Sequence, residues 1–226
     1  MTPRFSILIP TLNEAAQIAV TLAATRNAFG DDAEYIVCDG HSTDETTVIA
    51  EGAGATVIRS ARGRGQQLDA ALRAARGEVC VLLHADTLLP ATARPLIENA
   101  LTRAIGGAFY LRFNEPRLAW LARAINFRTR LFRTATGDQA MFAQRSVLLG
   151  VGGVPHEDLF EDVRLWRKLK RAGRLQLVSA EVTTSARLWV KLGTWRGIFL
   201  HLRLRTLHAL GVPPRRLARS YPTAGS

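Results

Sequence analysis

Four short β-type runs, each ending in polar residues and each followed by a helix-like stretch, constrain this chain more than any other feature. The runs are 5–10 (FSILIP), 34–38 (EYIVC), 55–59 (ATVIR) and 78–84 (EVCVLLH). Helical spacing fills the gaps: 17–29 with Ile18, Leu22 and Thr25 on one side, 43–53 capped by Ser42 or Thr43, 67–75 after the Gly-rich ARGRGQQ, and 92–101. The fourth run is almost wholly apolar, as a parallel strand covered by helices on both faces must be. Such alternation predicts an α/β fold with a mostly parallel central sheet flanked by helices.

Beyond residue 105 the pattern changes. Strands are expected at 107–113, 139–144 and 176–182, and helices at 118–132 and 160–172. Segment 195–210 reads both ways. Leu200, Leu202 and Leu204 alternate with His201, Arg203 and Arg205 as in a strand, but its length and the closing Gly211 favour a helix. Its polar and apolar residues do not segregate onto clean faces. The tail from Arg215 is expected to fray.

The 226 residues suit one domain. The opening MTPRFSILIPTLNE is not a signal peptide, and no apolar stretch reaches membrane-spanning length, so a cytoplasmic protein is expected. Cys38 and Cys80 lie in β-type runs without metal-ligand spacing and are expected to be reduced core thiols. The net charge of +11 is uneven: residues 1–110 carry nine Arg and twelve carboxylates (−3), residues 111–226 twenty-one Lys and Arg and seven carboxylates (+14). A basic second half fits an anionic partner, or an Arg-rich solvated surface.

In α/β sheets ligands bind beyond the carboxyl ends of the strands. Here those ends carry Pro10-Thr11-Leu12-Asn13-Glu14, Asp39-Gly40-His41-Ser42-Thr43-Asp44, Arg62-Gly63-Arg64-Gly65 and His84-Ala85-Asp86. A carboxylate there can hold a ribose or base, and small residues after it let backbone N–H groups approach a phosphate.

In these residues the chain resembles glycosyltransferase family 2, and within it the short bacterial subfamily named for its association with radical-SAM and selenoprotein-type domains. SILIPTLNE is similar to that family's first strand and nucleotide loop. CDGHSTDET is similar to its Asp-Gly-Ser-Thr-Asp element with His41 inserted, LLHADT to its metal-binding aspartate motif, and FEDVRLWRKLKRAG to its Glu-Asp helix. The likeness runs from about Ser6 to Gly173. It implies one GT-A domain over 1–226, with a nucleotide-binding half (1–105) and an acceptor-side half (106–226) that ends in a basic segment. It also implies an inverting transferase that takes a sugar from a nucleoside-diphosphate sugar.

By position, the resemblance puts Pro10, Thr11, Asn13, Glu14, Asp39 and Ser42 around the nucleotide, with Arg62 and Arg64 available for phosphate. Asp86 would bind Mg²⁺ or Mn²⁺, which with arginine can neutralise the diphosphate leaving group. The resemblance makes Asp162 the catalytic base with Glu161 in support, and gives Asp138 a contact to substrate. Both helix-start acids can also be read as merely stabilising their helix. Where the family often has two aspartates, His84-Ala85-Asp86 has one; His84 is either a second ligand or a packing residue.

Arg187, Trp189, Trp195 and Arg196 are either a lid over the diphosphate or interface and core residues. The basic, Leu-rich 195–210 suits peripheral contact with the inner face of a membrane and a lipid-linked acceptor. Two other functions share the pattern. A nucleotidyltransferase needs a Gly-rich basic loop after its first strand, where this chain has PTLNEAAQ. An RNA-binding module needs exposed aromatics, for which Phe109, Tyr110 and Phe113 beside Arg112 are the candidates. No nucleic-acid partner is expected.

Overall fold

A computed structural model describes residues 3–218 and residue 220. The strands are β1 (Phe5–Thr11), β2 (Ala33–Asp39), β3 (Thr56–Arg59), β4 (Val79–Leu82), β5 (Thr87–Leu88), β6 (Gly106–Phe113), β7 (Met141–Gln144) and β8 (Leu175–Thr184). The helices are α1 (Ala15–Phe29), α2 (Thr46–Gly52), α3 (Arg64–Ala74), α4 (Ala93–Leu101), α5 (Ala119–Phe132), α6 (Arg145–Gly150), α7 (Glu161–Ala172), α8 (Arg187–Leu192), α9 (Thr194–Ala209) and α10 (Pro214–Ala218).

All strands join one sheet in the order β3-β2-β1-β4-β7-β6-β8-β5. The pairings from β3 to β4 are parallel, as expected. Beyond β4 the sheet is mixed: β7 runs antiparallel to β4 and β6, β8 is parallel to β6, and β5 is antiparallel to β8.

The period of two along each strand divides the core. Phe5, Ile7 and Ile9 of β1, with Val79 and Val81 of β4, face α1, α2 and α4. Leu8 of β1, with Cys80 and Leu82 of β4, faces α3, α6 and α7. The sheet is thus covered on both sides, which is why its central strands read as continuous apolar runs. Both cysteines are free and buried, and burial pushes the Cys80 thiol up to about 12.

Several boundaries differ from the sequence reading. α2 begins at Thr46, so Ser42 and Thr43 do not cap it. They are drawn into the preceding loop by Asp39 and Asn13, while Asp44 accepts from the N–H and hydroxyl of Thr46. α3 begins at Arg64, one turn earlier than its apolar spacing suggested. β5, α6 and α8 are too short to leave a periodic signature. Segment 195–210 is the helix α9. The tail does not fray at Arg215: α10 covers 214–218 and buries Leu217 against Leu159 and Leu204. The rest of that expectation, at 219 and 221–226, lies outside the described residues. Phe109 is core, so no exposed aromatic platform forms on β6.

Candidate active site

The parallel strands β1 and β2 end side by side, with Thr11 opposite Asp39. Asp39 is only 1% exposed, and its carboxylate accepts from the Ser42 N–H at 2.9 Å and the Ser42 hydroxyl at 2.5 Å. Thr11 Oγ1 donates to it at 3.4 Å. Across the gap, Asn13 Oδ1 accepts from the Thr43 N–H at 2.8 Å while the Asn13 N–H donates to Ser42 Oγ at 2.9 Å. Asn13 and His41 hold φ of +55° and +66°, a left-handed conformation uncommon outside glycine and typical of binding loops. The loops after β1 and β2 therefore form one hydrogen-bonded rim. Pro10 lies beneath it, and Arg62 stands exposed before α3.

The next strand ends supply charge. His84 and Asp86 follow β4. His84 Nδ1 lies 3.0 Å from Asp138 Oδ1, which sits in the 3₁₀ turn Gly137–Gln139. Desolvation opposes both charges. The mutual hydrogen bond outweighs it, lowering Asp138 to about 2 and raising His84. Gly137 fits closely beside them: a Cβ there would lie 2.5 Å from His84 Nε2, so the imidazole would have to move. Arg187, opening α8, places Nη2 at 2.8 and 3.1 Å from the two oxygens of Glu14 and 3.6 Å from Asp86 Oδ2. It thereby ties the far end of the sheet to the β1 loop.

Asp86 is a mostly buried carboxylate whose guanidinium neighbour lies beyond hydrogen-bond distance. Burial pushes its carboxyl up, against His84 and Arg187. Among the described residues no group of three or more His, Cys, Asp and Glu is spaced to hold a metal ion. This donor set fits a hard cation that takes one or two protein oxygens and draws its other ligands from phosphates and water; it does not fit an all-protein cage.

At the start of α7, Asp162 accepts from the Gly137 N–H through Oδ2 and from the Val163 N–H through Oδ1, both at 2.7 Å. Glu161 turns the other way and is 2% exposed. Its Oε1 meets Arg64 Nε at 2.8 Å, and its buried Oε2 has no hydrogen-bond partner. Burial raises Glu161 in spite of Arg64. The residue before them, Phe160, holds φ +65°, unfavourable for a bulky side chain. Stacking on His208 of α9, with ring centroids 4.8 Å apart, holds it there. His84, Gly137, Glu161 and Asp162 share one small cavity.

Pro10, Thr11, Asn13, Glu14, Asp39, Ser42, Arg64, Asp86, Asp138, Glu161 and Asp162 therefore gather at one end of the sheet, whereas Arg62 makes no ion pair among the described residues. Arg64 is engaged by Glu161. The four lid candidates divide. Arg187 enters the site, and Trp189 packs on Phe113 and His201. Trp195 and Arg196 are exposed elsewhere.

Two positioning residues escaped the sequence reading. Gln67 Nε2 donates to the carbonyls of Thr11 and Cys38 at 2.7 and 2.8 Å, clamping the ends of β1 and β2. Gln139 Nε2 donates to the Phe109 carbonyl while its Oε1 accepts from the Thr136 N–H, anchoring the turn that carries Asp138. Their only sequence signal was a glutamine at a position that must be buried.

A family model described as glycosyl transferase family 2 matches residues 6–151. The glycosyltransferase AglJ of Haloferax volcanii is 31% identical over 131 residues, which span 57% of this chain and 43% of AglJ. Among solved structures, the mannosyltransferase PcManGT from Pyrobaculum calidifontis, in complex with GDP-Man and Mn2+, superposes with a TM-score of 0.67 at 24% identity over 95% of this chain and 67% of its own. TarS of S. aureus with UDP-GlcNAc gives 0.65 at 18% over 80% and 58%. Glucosyl-3-phosphoglycerate synthase from Mycobacterium tuberculosis, with Mn2+, UDP and glucosyl-3-phosphoglycerate, gives 0.63 at 21% over 93% and 81%. The chain thus spans less than half of AglJ and under two thirds of TarS. The α/β architecture is the GT-A fold of these enzymes, and with the family match covering more than half of its length, the chain belongs to glycosyl transferase family 2.

Proposed function

We propose that the protein is an inverting glycosyltransferase that moves a sugar from a nucleoside-diphosphate sugar to an acceptor hydroxyl, the acceptor being lipid-linked. One observation carries this reading: Asp39, Asp86, Asp138 and Asp162 converge with Arg64 and Arg187 beyond the ends of β1, β2 and β4. That is where an α/β sheet binds nucleotides.

The rim of Asn13, Ser42 and Thr43 receives the nucleoside. Asp39 holds the rim and retains lone pairs for a ribose or base. Asp86 would hold Mg²⁺ or Mn²⁺, which when bound would supply positive charge near the diphosphate. Arg187 reaches the same region and adds a fixed cation there. Asp162 takes the proton from the acceptor hydroxyl. Its two backbone N–H contacts fix the direction in which the carboxylate points at the start of α7. Inversion needs only this one base opposite the leaving group. Glu161 and Arg64 form the floor beneath it, and Asp138, held by His84, contacts the sugar or acceptor.

The test is thermal stability against a panel of nucleoside diphosphates with and without Mn²⁺. The expected result is a metal-dependent rise with one nucleotide, abolished in Asp86→Ala and weakened in Asp39→Ala. No rise with any nucleotide would overturn the donor assignment, and an unchanged affinity in Asp39→Ala would remove that residue from the pocket.

A further inference from the structure

We propose that the outer faces of α5 and α9 together form a docking surface for an anionic phospholipid bilayer, with Trp120 and Trp195 at its centre. On α5 the side chains of Trp120, Phe127 and Leu131 recur at helical spacing and are 45%, 68% and 60% exposed. On α9, Trp195, Phe199 and Leu202 do the same, at 76%, 70% and 61%. Folding ordinarily leaves large apolar side chains exposed singly; two such stripes mark an interaction site.

The stripes are one surface. The Trp120 and Trp195 rings lie 5.7 Å apart between centroids. Below them Leu118 and Leu121 share one apolar cluster with Ile125 of α5 and Ile198 of α9. Exposed arginines flank both stripes: Arg123 and Arg130 on α5, Arg196 and Arg203 on α9. No Asp or Glu occurs in residues 116–137 or in residues 182–226.

The occupant must therefore be anionic at its surface and apolar just below it. A bilayer of acidic lipids meets both requirements, with tryptophans at the headgroup level and arginines on the phosphates. A nucleic acid would answer the charge but offers no apolar depth to Phe127, Leu131 and Leu202. No helix among the described residues is long and apolar enough to cross a membrane, so these helices would lie on it. His208 of α9 meanwhile stacks on Phe160, two residues before Asp162 in the chain. Docking the outer face brings that end of the site to the lipid surface. This deepens the lipid-linked reading of the acceptor and rests on it for that purpose.

Vesicle flotation of the full chain tests it, using phosphatidylcholine alone and phosphatidylcholine mixed equally with phosphatidylglycerol. The chain should float with the mixed vesicles and much less with phosphatidylcholine, and tryptophan emission should shift to the blue on binding. Phe127→Glu with Phe199→Glu should abolish flotation while leaving circular dichroism and the nucleotide-induced thermal shift unchanged. Arg123→Ala and Arg203→Ala should each weaken binding roughly fivefold.

Absence of flotation, equal binding to both vesicle types, or full binding by the double glutamate variant would overturn the assignment. So would a solution dimer that buries the tryptophan pair, or RNA binding lost in the same variant. Flotation without any nucleotide response would instead sink the transferase reading and leave the docking face standing.

Discussion

Two glutamates, a partly buried one on β2 and a buried one at the start of α7, show how differently the two halves of the molecule are built. Glu34 on β2 accepts from the Ser6 hydroxyl, the Arg76 and Gly77 N–H groups and the Arg76 guanidinium. Desolvation is overcome, and its carboxyl sits below the usual range. Glu161 on α7 has one cation and one orphaned oxygen, and burial pushes it up. The parallel half holds its loops by internal hydrogen bonds, although Glu14 and Arg64 draw their ion pairs from Arg187 and Glu161 of the second half. The second half tolerates a strained Phe160, an unsatisfied carboxylate and an exposed apolar surface. Costs of that kind are retained where chemistry and partners are handled.

The largest test of this contrast is catalytic. Asp162→Asn should lower turnover about a thousandfold with little change in donor affinity, measured by steady-state kinetics. Retained turnover would remove the base from the second half and break the comparison. Next in size, Glu34→Ala should cost about 2 kcal/mol in urea unfolding at neutral pH, because it strands the buried Ser6 hydroxyl and removes the acceptor for the Arg76 N–H and guanidinium; the Gly77 N–H keeps Ser6 Oγ.

The pH dependence of the two glutamates should run in opposite directions. Glu34 is lowered, so its contribution is present above the ordinary Glu value and is lost as pH falls through the folded one. Glu161 is raised, so the folded state holds its proton more tightly and stability falls as pH rises from the ordinary Glu value through the folded one. Glu161→Gln should flatten that fall, and parallel profiles in variant and wild type would refute the assignment. The smallest effect belongs to Arg187→Ala. Its ion pair with Glu14 is partly exposed and should cost under about 1 kcal/mol of stability, while nucleotide affinity drops measurably.

The parallel strands, their order of carboxylates and the Glu-Asp helix were legible in the sequence because a doubly covered sheet demands apolar runs and places its polar residues at the ends. Leu165 and Leu169 of α7, one helical turn apart, are buried. α9 was obscure for a physical reason. It carries one apolar face toward Leu159 and Leu217 and another toward solvent, so no single periodicity separates polar from apolar. The start of α2 was misplaced because Ser42 and Thr43 have the right chemistry for caps, and only Asp39 and Asn13, brought across by the sheet, claim them first.

The sequence by itself determined the alternation of strands and helices, the residue types at the strand ends and the charge asymmetry, since each depends on local composition and period. The tertiary structure alone decided that Arg64 serves Glu161, that Arg187 returns to Glu14, that Gln67 clamps two strands and that Trp120 meets Trp195. Each of those pairs joins residues distant along the chain. Their contact follows from how helices pack on a twisted mixed sheet, which no local pattern encodes.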